Sequence, residues 1–132
     1  MNLFTVKLKN EPGALAQVAE AMATRGVDIR AFGGGGIGDT GIAAFVTDND
    51  MATREALMAS NCEFSESEAV VADVDDKPGT LARLTRAMAD AGVNLQGAVV
   101  MQWMDERARL AFAVDDPMKA REALRSAGAM GM

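Results

Sequence analysis

The chain has 132 residues, of which 49% are hydrophobic and 24% charged, with a net charge of −6. This suffices for one ordinary domain or two very small ones; the composition is that of a folded chain, and the negative charge argues against nucleic acid or an anionic membrane surface as a partner. Histidine is absent and Cys62 is the single cysteine, which excludes histidine-based triads, an intrachain disulfide and a cysteine-rich zinc site. No metal or other cofactor is expected. No apolar run approaches the roughly 18 residues of a membrane span, and the start "MNLFTVKLKNEPG" lacks the apolar core of a secretory signal. The expected location is the cytoplasm.

In chain order, Leu3-Phe4-Thr5-Val6-Lys7-Leu8 reads as a strand. Pro12 and Gly13 then open a helix whose apolar face carries Leu15, Val18, Ala19 and Met22. Gly26 stands just past its last periodic residue, where a left-handed cap ends a helix. Next, Val27 to about Gly35 and Ile42 to Thr47 form a hairpin around Gly38-Asp39-Thr40-Gly41. The stretch "GGGGIG" at 33–38 satisfies a dinucleotide-binding spacing through Gly33, Gly35 and Gly38. That fingerprint works only where a helix leaves it, because the pyrophosphate sits on the N–H groups of the helix's first turn. Here the strand-like "IAAFVT" follows, so the glycines belong to a hairpin. A second helix runs from about Met51 to Ser60, and Cys62-Glu63-Phe64 supplies a last strand.

The same order then repeats. Asn10-Glu11-Pro12-Gly13-Ala14-Leu15-Ala16 matches Asp76-Lys77-Pro78-Gly79-Thr80-Leu81-Ala82 at an offset of 66, and Gly26-Val27-Asp28-Ile29 matches Gly92-Val93-Asn94-Leu95. Arg54-Glu55-Ala56-Leu57 recurs as Arg121-Glu122-Ala123-Leu124 at an offset of 67, so one residue is gained between, expectedly in the Gly-rich turn. Asp116 and Pro117 open the last helix, which runs to Ala127. The fold class is α+β: two ferredoxin-like βαββαβ repeats, with antiparallel sheets and helices on one face, spanning 1–66 and 67–132. The last strand of the second repeat is expected to be short or frayed.

Asn/Asp-x-Pro-Gly-x-Leu opening the first helix, with Gly-Val-Asn/Asp-Ile/Leu opening the second strand, resembles the ACT domain, here in tandem. The resemblance implies a regulatory and non-catalytic role. Members of that family are appended to amino-acid biosynthetic enzymes and typically bind an amino acid where two such domains meet. It also implies that Asp28 and Asn94, and Asn10 and Asp76, contact a ligand. Many ligand-binding members carry Asn at both positions of one domain. Each half here has one Asn and one Asp, so unequal or single-site binding is expected.

The residues themselves fit a zwitterion. Backbone N–H groups at Gly13, Ala14 and Leu15, and at Gly79, Thr80 and Leu81, can hold a carboxylate at a helix N-terminus. Asp28 and Asn94, read as lying beside that helix start, would take the ammonium. Asn10 and Asp76 equally suit plain turn or cap roles. Asp73, Asp75 and Asp76 lack calcium-loop spacing and read as a solvated loop. Met101, Trp103 and Met104 crowd one hairpin tip, at places that are glycine-rich in the first half, and read as an interface patch. The expected partners are a free amino acid, a second copy in a homodimer, and an amino-acid biosynthetic enzyme. The alternative function is an interaction subunit that has lost the ligand and docks on such an enzyme.

Overall fold

The computed structural model describes residues 1–131. The chain divides into two compact units, Met1–Glu66 and Ser67–Met132. In the first, β1 (Asn2–Lys9) leads to α1 (Ala14–Thr24), the hairpin β2 (Ile29–Ile37) and β3 (Thr40–Thr47), α2 (Asp50–Ala59) and the start of β4 (Glu63–Asp75). In the second, the rest of β4 leads to α3 (Thr80–Asp90), the hairpin β5 (Leu95–Met104) and β6 (Arg107–Val114), and α4 (Pro117–Ser126). The strand order is β2-β3-β1-β4 in the first unit and β4-β6-β5 in the second, all described pairings being antiparallel. This is the α+β, twice-repeated pattern that the sequence implies.

Period-2 and period-3.6 patterns explain the layers. Phe4 and Val6 of β1 stand opposite Phe45 and Ala43 of β3, on the face where Val18 and Met22 of α1 and Leu57 of α2 close the core. The second unit repeats this with Val70, Phe112, Leu84, Met88 and Leu124. Each fully buried side chain of this size contributes about 1.5–3 kcal/mol of transfer free energy. Leu15, read as part of the helix's core face, is instead 42% exposed, and its counterpart Leu81 is 60% exposed. Both lie in the first helical turn, beyond the reach of the core.

Helix ends follow the repeat. Gly26 (φ 70°) and Gly92 (φ 78°) cap α1 and α3, with Val27 and Val93 N–H reaching back to Met22 and Met88 carbonyls. The side chains of Asn49 and Asp116 accept N–H bonds at the starts of α2 and α4. The two hairpin turns hold two residues each, Gly38-Asp39 and Asp105-Glu106, shorter than the four-residue turn expected at Gly38-Asp39-Thr40-Gly41. Gly33 to Gly36 lie within β2.

The residue gained in the second repeat is not in the turn. Val100 pairs with Leu110 and Gln102 with Arg109, which leaves Met101 unpaired as a β-bulge. In the first unit Gly34 pairs with Ala43 and Gly35 with Ile42 without a break. A bulge takes up one extra residue by local twisting, so the flanking register survives. The short strand expected at Cys62-Glu63-Phe64 proves to be the start of one 13-residue strand, β4. At the other end Met130 makes an isolated bridge with Asp73, and Met132 lies outside the described residues.

Candidate functional site

The loops that enter α1 and α3 are built alike. Gly13 (φ 89°, ψ −12°) and Gly79 (φ 90°, ψ −12°) occupy the cap position in the left-handed region, where glycine is favoured, and no side chain caps either helix. The helices therefore begin one residue later than Pro12-Gly13 suggested. The N–H of Ala14 is spent on Glu11 O, and that of Thr80 on Lys77 O, both at 3.3 Å. No hydrogen bond of the described residues takes the N–H groups of Gly13, Leu15 and Ala16, or of Gly79, Leu81 and Ala82. Such donors at the positive end of a helix suit an anion.

Beside each helix start lies an open cleft against the edge strand. In the first unit it measures about 330 Å³ and is lined by Asn10, Ala14, Leu15, Phe32 and the Gly33–Gly36 run. In the second it measures about 270 Å³ and is lined by Asp76, Thr80, Leu81, Val100 and Trp103. The clefts correspond residue by residue, since Val100 pairs with Leu110 as Gly34 does with Ala43, and Trp103 pairs with Ala108 as Gly36 does with Gly41. Glycine in one floor is therefore Val or Trp in the other. Trp103 and Val100 were missed as cleft residues, although the repeat register aligned them with Gly36 and Gly34.

The two loop polar residues differ as well. Both backbones bond to the hairpin tip, Asn10 N–H to Asp39 O at 2.9 Å and Asp76 N–H to Glu106 O at 2.8 Å. The Asn10 amide also donates to Gly38 O at 2.9 Å and lies where a side chain on Gly36 would stand. This is the turn-bracing role of Asn. No hydrogen bond or ion pair of the described residues takes the exposed Asp76 carboxylate.

Asp28 and Asn94 are not beside these helix starts. Asp28 precedes Ile29, which pairs with Thr47, whereas the loop at Asn10 stands at the level of Thr40 and Ile37, the far end of β2. Eight strand residues, roughly 26 Å, separate the two levels. β1 and β2 both pair antiparallel with β3 and so run parallel, which puts the start of β2 beside the start of β1. Asn94 stands likewise at the start of β5, away from Gly79. Carboxylates hold both backbones: Asp28 N–H donates to Asp48 Oδ1 and Asn94 N–H to Asp115 Oδ1, each at 2.9 Å. Asp28 pairs with Arg30.

The remaining charges serve the scaffold. Arg54 holds Glu66 through two hydrogen bonds of 2.6 Å, Asn2 adds a third, and the carboxyl is drawn below the usual glutamate range. Arg109 does the same for Asp73. Burial pushes the Cys62 thiol up, which opposes the thiolate a nucleophile needs. Asp73 and Asp75 both face arginines, which leaves Asp76 as the carboxylate of the acidic cluster without an ion pair among the described residues.

Residues 1–73 match the model of the ACT domain pair, and residues 69–102 match that of the ACT domain. The chain belongs to the ACT-domain family. Its fold is similar to that of a Bacteroides thetaiotaomicron protein at 19% identity and a TM-score of 0.75, over 97% of this chain and 88% of that one. It is similar also to the ligand-free regulatory subunit of aspartate kinase from Thermus thermophilus, at 20% identity and a TM-score of 0.67, over 96% and 88% of the two chains. A third similar structure is a putative C-terminal regulatory domain of aspartate kinase from Porphyromonas gingivalis, at 16% identity and a TM-score of 0.61, over 95% and 90%. No curated protein matches the sequence. ACT domains are regulatory, and no catalytic family is indicated. No described helix is long and apolar enough to cross a membrane.

Proposed function

We propose that this ACT-domain chain is a non-catalytic regulatory module that binds a free amino acid at an ACT-domain interface and acts on an enzyme of amino-acid biosynthesis. The observation that carries the reading is the pair of uncapped helix starts, each with three free N–H groups, those of Leu15 and Leu81 belonging to residues that line a cleft sized for a small ligand. A carboxylate fits those donors, and Asn10 or Asp76 stands at the same loop to meet the ammonium. Asp28 and Asn94, at the opposite ends of β2 and β5 from these loops, take no part in the two clefts. The edge strands β2 and β5 favour pairing in a homodimer, as do exposed Phe32 (63%), Ile37 (91%) and Trp103 (66%).

Melting curves of the full chain with each of the twenty amino acids test this. A ligand at a hundred times its Kd stabilises the native state by about 2.7 kcal/mol, a shift of roughly ten degrees for a chain of this size, and nucleotides give none. Twenty unmoved curves refute the reading.

A further inference from the structure

The two clefts are alike in backbone and unlike in chemistry. Resting on the amino-acid reading above, we infer that the second unit's cleft is the one that takes the ligand, and that the ligand is an amino acid with an apolar side chain, branched aliphatic or aromatic.

Three differences carry this. First, Thr80, 95% buried, lines the second cleft where the first has Ala14, and its shielded hydroxyl has no hydrogen-bond partner. A buried hydroxyl without a partner is unfavourable, and a ligand carboxylate at the neighbouring Leu81, which lines the same cleft, supplies the missing acceptor. The oxygen is shielded in the empty cleft and reaches the ligand by a turn about χ1, for which a threonine in a helix has two accessible rotamers. The other unpartnered buried atom among the described residues, Arg107 Nη2, belongs to an arginine paired with Asp75 through Nη1. Second, Asp76 offers an ammonium an unpaired negative charge, where Asn10 offers only the neutral oxygen of an amide whose Nδ2 donates to Gly38 O. Third, Val100 and Trp103 stand where the first cleft has Gly34 and Gly36, so that with Val74, Leu81 and Leu110 the second cleft has an apolar side-chain wall at its floor, and Trp103 is 66% exposed beside it. The polar lining is confined to Asp75, Asp76, Lys77 and Thr80 at the loop and helix start, so a ligand side chain laid against that wall meets apolar atoms, and a charged or hydroxylated one would lose its water there. At about 270 Å³ the space suits a ligand of amino-acid size.

Trp103 is the single tryptophan and there is no tyrosine, so its emission reports on this cleft alone. The test titrates the full chain with leucine, isoleucine, valine, phenylalanine, glycine, serine, aspartate and lysine, reading Trp103 emission and the melting curve together. One or more of the apolar set shifts the emission and raises the melting temperature, and the other four do neither at ten times the concentration. Trp103→Ala weakens the melting response to that ligand at least about tenfold. Thr80→Val weakens it too, and Thr80→Ser restores it. A melting shift from polar amino acids alone, or one from an apolar amino acid that leaves the emission unmoved and survives Trp103→Ala, overturns the inference while the amino-acid reading stands. If none of the twenty raises the melting temperature, the amino-acid reading falls, and this inference with it.

Discussion

Thr80→Val should make the ligand-free protein more stable. Thr80 is 5% exposed, and its hydroxyl meets no donor or acceptor among the described residues. A buried hydroxyl left unpaired costs about 1–3 kcal/mol, which valine of the same shape removes. Helix preference does not oppose the change, because Thr and Val rank together. Unfolding entropy of about 2.1 cal/mol/K per residue amounts to roughly 0.28 kcal/mol/K over 132 residues. The gain then corresponds to a rise of about 4–10 °C if the chain melts as one unit, and to more if the second unit melts separately. Calorimetric or circular-dichroism melting of both proteins without ligand measures it. An equal or lower melting temperature in the valine protein refutes the reasoning, since the hydroxyl would then be hydrogen-bonded in the native state.

In the first unit, a Cβ on Gly34 would stand 3.1 Å from Ala43 Cα and against the Ile42 carbonyl. Gly34→Ala therefore lowers stability by about 1–3 kcal/mol in urea titration, because backbone atoms cannot give way. Asp116→Ala removes the side-chain bond to Lys119 N–H and costs about 1 kcal/mol in the same assay. Glu66 and Asp73 have carboxyls held below their ordinary values of 4.5 and 3.8, chiefly by hydrogen bonds from Arg54 and Arg109. Their stabilisation is complete above those values and is lost as pH falls through the depressed ones. Arg54→Ala should then lower stability at neutral pH and flatten the loss as pH falls below about 4.5, as read by denaturant titration at successive pH values. The homodimer is tested by sedimentation, where a monomer alone at micromolar concentration contradicts it.

The fold was legible because its signals are local and doubled. Pro-Gly before α1 and α3, Gly-Val after them, and Asp116-Pro117 at α4 each fix a chain direction by backbone conformation, and the second copy confirms the reading of the first. The place of the inserted residue was not legible. Met101 bulges from a strand, and sequence offset alone cannot distinguish a bulge from a longer turn. At the candidate site, Gly13 and Gly79 were named from helix N-terminus chemistry and Asn10 and Asp76 from the family resemblance, and all four fall in the loops that enter α1 and α3. Asp28 and Asn94 were misplaced because Gly-Val-Asx marks the start of a strand without saying which end of the sheet that start occupies. The parallel relation of β1 and β2 decides that, and it is visible only once both are paired with β3. Thr80 was named for its N–H group, yet that group is spent on Lys77 and it is the unpaired hydroxyl that distinguishes the residue. Burial without a partner is a property of the packed structure, so no sequence pattern announces it.

Isothermal titration calorimetry of the intact chain against each of the twenty amino acids tests the central claim most directly. The account predicts saturable heat for an amino acid with an apolar side chain, abolished when its carboxylate is converted to an amide. No heat from any of the twenty, or heat unchanged by amidation, would contradict it.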